Sequence, residues 1–169
     1  MRCNFRSEAG VTLIETTIAA SILLVAMLGL LSMGALATRF TENHGHLEAR
    51  TTEYAQDKME QLLALAFTDS TSNTVVFPAT ATGGTGLTIG GGLNTSAPVN
   101  GYVDWLGADG GLLGGGTTQP AGWQYQRVWL VENPSTGIKR ITVLSRVRMA
   151  VGNALPPQST VVALKSSQF

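Results

Sequence analysis

Cysteine is almost missing from this chain: Cys3 is the only one among 169 residues, so no intrachain disulfide can form. Small secreted domains with a thin core usually lean on disulfides, so this one must rely on packing or on neighbouring subunits. Proline is missing from the whole first stretch up to Pro78, which leaves room for a long unbroken helix. Charge is sparse and balanced, 11 basic against 11 acidic side chains, which removes any bulk attraction to nucleic acid or to an acidic substrate. No nucleophile–base arrangement is evident. The glycine runs lack the lysine and the strand–helix setting of a phosphate loop. An enzyme is not expected, and neither a cofactor nor a metal is called for. The length suits one domain with an anchor and is short for two globular domains.

What is present falls into three regions. The first runs from Val11 to about Phe67. Residues 16–38 form 23 consecutive positions without a formal charge, and as a helix they would cover roughly 34 Å, enough for a bilayer core of roughly 30 Å. Beyond Arg39 the pattern turns amphipathic. Leu47, Thr51, Tyr54, Ala55, Met59, Leu62, Leu63 and Ala66 recur at three- and four-residue steps with acids between them, predicting a helix with one dry stripe. Gly45 is the expected point of interruption, with Gly29 and Gly34 as softer points inside the span.

The second region, residues 68–122, holds 14 of the 20 glycines between Gly83 and Gly122. It reads as an irregular, partly mobile excursion draped over the sheet, with short strands at 74–77 and 102–106 at most. Asp104 and Asp109 in DWLGADGG invite a calcium-loop reading, but their spacing fails the D-x-D-x-D-G pattern and no acid closes the loop.

The third region, residues 123–169, carries the strongest strand signals. WQYQRVWLVE is aromatic and β-branched, residues 133–137 form a turn, and IKRITVLSRVRMAV follows. Ile141, Val143, Val147, Met149 and Val151 share one face of that strand, and Arg140, Thr142, Arg146 and Arg148 share the other. Residues 159–165 supply a third antiparallel strand. The expected fold class is α+β. A long N-terminal helix, membrane-spanning in its first half and amphipathic in its second, packs on a small C-terminal antiparallel sheet, with a glycine-rich irregular middle. Acids cluster at 42–69 and bases from Arg127 onward, so an acidic helix should lie beside a basic sheet or pair with one across subunits.

One charge is out of place. Glu15 heads the apolar run, where a carboxylate is costly to bury in hydrocarbon. A plain membrane anchor explains the run but not the order Gly10-Val11-Thr12-Leu13-Ile14-Glu15. A secretory signal peptide would use Ala35-Leu36-Ala37 as its cleavage site, yet the run exceeds the usual core length and begins with an acid.

The stretch GVTLIE followed by the apolar span resembles the N-terminal signal of type IV pilins and pseudopilins, a short basic leader and then glycine before a TLIE-like sequence. The likeness is close over the first forty residues and architectural beyond them. It implies residues 1–10 as leader, 11–38 as the membrane and assembly helix, 39–67 as its amphipathic continuation, 68–122 as the variable region and 123–169 as the sheet region. It further implies cleavage between Gly10 and Val11 by a membrane prepilin peptidase, with N-methylation of Val11, where the family most often has phenylalanine. Arg2 and Arg6 would hold the leader in the cytoplasm, leaving the C-terminal domain periplasmic until the subunit enters a filament.

In this family the acid at the place of Glu15 is thought to meet the N-terminal amine of a neighbouring subunit. A carboxylate beside an amine is compensated where a lone one is not. The alternatives are a position at headgroup level or a pair with its own N-terminus. The implied function is a structural subunit of a type IV pilus-like filament, a minor pilin similar to the PilV type that helps assembly or initiation. The alternative is a minor pseudopilin of a type II secretion system. The implied partners are other pilin subunits, the peptidase, an inner-membrane assembly platform, and membrane lipid before assembly. DNA is not an expected partner, because Trp123, Tyr125 and Trp129 read as core, and Arg140, Arg146 and Arg148 as partners for helix acids. His44 and His46 do not make a metal site, since side chains two apart on a helix diverge by about 200°.

Overall fold

The computed structural model describes residues 12–149 and 155–167. Helix α1 spans Leu13–Ala64, and six strands follow: β1 (Gly90–Gly91), β2 (Val103–Leu106), β3 (Leu112–Gly115), β4 (Tyr125–Ser135), β5 (Ile138–Val147) and β6 (Gln158–Ser166). The chain divides into two units, Met1–Glu42 and Asn43–Phe169.

In the first unit the described residues are the N-terminal part of α1. This helix is long and apolar enough to cross a membrane. Leu13, Ile14, Leu30, Leu31 and Met33 are each at least 69 % exposed, so none of the described residues covers them. The glycines expected to weaken the helix do not. α1 continues through Gly29, Gly34 and Gly45, and no neighbouring atom lies within 4 Å of where a Cβ would stand on any of them.

The second unit is a helix on a sheet. Thr51, Ala55, Lys58, Met59 and Leu62 are the buried residues of α1, spaced to form one stripe. Ala55, Met59 and Leu62 pack with Leu87, Tyr102, Trp129, Val131, Ile141 and Val143. The sheet is antiparallel in the order β3-β2-β4-β5-β6, with β1 pairing the far end of β4. β4 starts at Tyr125, two residues after the expected start at Trp123, and β5 starts at the expected Ile138 but ends at Val147, four residues before Val151; the remaining difference is at the connecting turn. There Asn133 and Pro134 belong to β4, and a register shift between Glu132 and Ser135 absorbs the proline, which cannot donate to the ladder. Met149 lies beyond the end of β5 and is 67 % exposed, so it does not join the apolar face. Val151 lies outside the described residues.

Two expectations need correction. The glycine-rich middle is not a loose cover but an integral part of the sheet, contributing β1, β2 and β3. All four residues of β2 are buried, and β2 pairs with both β3 and β4. Its Val103 and Trp105 build a second cluster with Trp123 and Val128 on the sheet face away from α1. Glycine permits this because backbones come close: a Cβ on Gly91, at φ +89°, would run into the Trp129 carbonyl oxygen and the Tyr102 ring. Residues 74–77 form no strand; one bridge, Asn73 to Thr80, closes their turn.

The helix also ends at Ala64, short of Phe67. Its last turn holds no basic residue, and the cations come from the sheet. Lys165 Nζ donates to the Leu63 carbonyl at 2.6 Å, and Lys139 Nζ donates to the Phe67 and Leu87 carbonyls at 2.6 and 2.7 Å. Lys139 and Lys165 are register partners on β5 and β6, so two like charges sit side by side, Lys165 on a carbonyl of the last helical turn and Lys139 on carbonyls beyond it.

Candidate functional site

Two places stand out, one expected and one not. Of the residues singled out in the sequence, Gly10 and Val11 lie outside the described residues. Glu15 lies in the first turn of α1 and is exposed. Thr12 begins the helix as its cap. Its carbonyl accepts from the amides of Glu15 and Thr16 at 3.0 and 3.2 Å, and its Oγ1 lies 3.4 Å from the Glu15 amide. The threonine and glutamate of TLIE therefore stand in capping-box spacing, which explains part of the motif by local physics. A carboxylate in this turn faces the positive end of the helix dipole. No basic side chain of the described residues is paired with it.

The surface that follows is apolar and exposed. From Leu13 to Phe40 every large apolar side chain of α1 is about half exposed or more, Phe40 at 48 % being the least. Apolar patches of that extent mark membrane or protein contact. Hydroxyls in the same stretch are turned onto the helix's own carbonyls, Thr17 to Leu13, Ser21 to Thr17 and Ser32 to Gly29, each at 2.8 Å. Folding the hydroxyl back in this way lets a serine or threonine sit on an apolar surface without an orphaned donor.

The unexpected place is a buried group of charges between α1 and the sheet. Lys58 and Asp104 are fully buried and meet at 2.9 Å. Arg127, opposite Asp104 in the β2–β4 register, forks onto the same carboxylate with Nε at 2.7 Å and a second nitrogen at 2.9 Å. Its remaining nitrogen reaches Asp57 at 2.8 Å, on the exposed flank of the helix. Lys58 Nζ also donates to the Thr74 carbonyl at 2.7 Å and lies 4.2 Å from the centre of the Trp129 ring. Two cations and two carboxylates make the group neutral, which is the condition for burying it.

Burial pushes the Asp104 carboxyl up, but Lys58 and Arg127 together outweigh that and hold it below the ordinary carboxylate range. Burial lowers the Lys58 ammonium, partly offset by Asp104. Arg127 is raised: burial lowers it, and the contacts with Asp104 and Asp57 more than compensate.

This arrangement corrects the expected charge pairing. Of the arginines expected to meet helix acids, Arg140 pairs with Glu132 on the neighbouring strand at 2.7 Å. Arg146 bonds the Gln126 side chain at 3.2 Å, and Arg148 lies over the Trp123 ring. The base that does meet a helix acid is Arg127. The group was hidden in the sequence because Asp104 sits in a glycine-rich stretch and Lys58 among acids, and no spacing rule links them. Asp104 has both oxygens engaged by Lys58 and Arg127, while Asp109 accepts from the Gly111 amide at 3.0 Å, so DWLGADGG is a strand and turn rather than a cation loop. His44 pairs with Glu48 along the helix at 3.2 Å, and His46 does not share that contact.

Comparison with protein-family models, curated proteins and solved structures finds no match.

Proposed function

We propose that this protein is a structural subunit of a type IV pilus-like filament, a minor pilin held in the inner membrane by its N-terminal helix and then assembled through it. One observation carries the reading. From Leu13 to Phe40, α1 is apolar, uncovered by the described residues and bears a single carboxylate, Glu15 in its first turn, and the helix then runs on into a stretch that packs on an antiparallel sheet. A simple anchor needs the apolar surface but gains nothing from the acid. A subunit that exchanges lipid for neighbouring helices needs both, since the acid favours a position beside a neighbour's amine over one in hydrocarbon.

On this reading a prepilin peptidase cleaves between Gly10 and Val11, and Glu15 meets the new N-terminus of another subunit. The role is mechanical, and the neutral Lys58–Asp104–Arg127–Asp57 group stiffens the domain without a part in chemistry. The mature N-terminus, read by mass spectrometry of the chain produced in a host with the peptidase, tests the proposal. Val11 is expected; a chain starting at Thr38, after Ala35-Leu36-Ala37, would mean a secretory signal and would overturn it.

A further inference from the structure

The two outer strands of the sheet differ. β3 has four residues, two of them glycine, and its pairing with β2 is broken by a bulge. β6 has nine residues in unbroken register with β5 and contains no proline. Its one charge, Lys165, is turned inward onto the Leu63 carbonyl. The usual guards of a strand edge are a proline, a bulge or an outward lysine, and β6 has none of them.

The Ser167 amide donates to Gly137 and the Val147 amide to Pro157, which puts the odd-numbered residues of β6 in the bonded pairs with β5. Gln158, Thr160, Val162, Leu164 and Ser166 therefore aim their amides and carbonyls away from the sheet. Among these same residues Val162 is 56 % and Leu164 66 % exposed.

The opposite side of the domain is apolar too. Val76, Phe77 and Leu113 are 41, 82 and 45 % exposed beside β3, where the Val75 side chain packs over Gly115. The unpaired charge on the two sides differs. Asp109 is exposed on the β3 side, and Arg146, on β5 beside β6, is bound to no carboxylate among the described residues, whereas Asp57 and Arg140 are already paired with Arg127 and Glu132. Polarity also agrees. Thr51 and Thr52 meet Ser159 while Leu63 meets Lys165, so this part of α1 runs parallel to β6, and the antiparallel ladders make β3 parallel to both.

Resting on the filament reading above, we propose that the outer edge of β6 docks on the β3 side of a second copy of this chain, with Val162 and Leu164 seated against Val76, Phe77 and Leu113. A contact of β6 with another β6 about a two-fold axis closes after two copies, whereas a contact between different surfaces propagates, as a filament requires.

The test uses the full chain in membranes with Cys3→Ser, so that introduced thiols stand alone. Differently tagged Leu164→Cys and Phe77→Cys copies are co-expressed and treated with a short bismaleimide. A product carrying both tags is expected, lost when Val162→Lys is added, and absent when Ser96→Cys replaces Phe77→Cys. A product from Leu164→Cys alone, without the mixed one, would show a two-fold contact and overturn the proposal, as would the absence of any mixed product. The mature N-terminus is read on the same samples. A mixed product on a chain that does not start at Val11 leaves the contact standing and removes the filament reading; a Val11 start without the product does the reverse.

Discussion

Asp104 shows how much one side chain carries here. Among the described residues its carboxylate is the one acid that both Lys58 and Arg127 touch, and all three are buried. Asp104→Asn leaves two cations with too little negative charge and is expected to cost about 3–5 kcal/mol of stability, measured by chemical denaturation of the full chain in detergent. The same residue sets a pH dependence. Because its folded pKa lies below the unfolded value of about 3.9, the unfolded state binds the proton first. The stabilisation is thus full above about pH 3.9 and is lost as pH falls from there through the folded value. The stability gap between the wild type and Asp104→Asn should narrow at pH 3 relative to pH 7. The presence of Asp104 and Lys58 was legible in the sequence, but their pairing was not, because 46 positions separate them and each sits in a segment of another character.

Among the elements, α1 and the strands β4 to β6 follow patterns visible in the chain. Period-3.6 spacing marked the stripe through Thr51, Ala55, Met59 and Leu62, and alternation marked β5. The helix end was not visible, since the Leu63 carbonyl in its last turn is met by Lys165, some 100 positions away, and the Phe67 carbonyl just beyond it by Lys139. Lys165→Met should fray the last turn and speed amide hydrogen exchange at residues 61–64, with a loss of about 0.3–1 kcal/mol expected for one helix-end cation. The glycine-rich middle holds the strand expected at 102–106 but departs from expectation elsewhere for a related reason. Glycine lowers strand propensity, yet here it lets backbones meet where a Cβ would not fit, as at Gly91 against Trp129. Gly91→Ala is accordingly expected to destabilise the domain by about 1–3 kcal/mol, read as a lower thermal midpoint, whereas glycine-to-alanine exchange in a helix normally stabilises.

For the whole molecule, the question is what the uncovered half of α1 is for. If it serves assembly with Glu15 as a register contact, Glu15→Ala should leave cleavage at Gly10 intact and deplete the subunit from sheared filaments. Normal incorporation of the variant would return Glu15 to its local part beside the Thr12 cap. The sequence by itself determined the long apolar helix and the α+β class, because apolar length and side-chain periodicity are local properties. Only the tertiary structure decided that the glycine-rich region builds part of the sheet, that a lysine of β6 meets the last helical turn, and that one buried aspartate joins a lysine to an arginine. Those depend on which distant backbones can approach and on which buried charges must find a partner, and no local pattern encodes either.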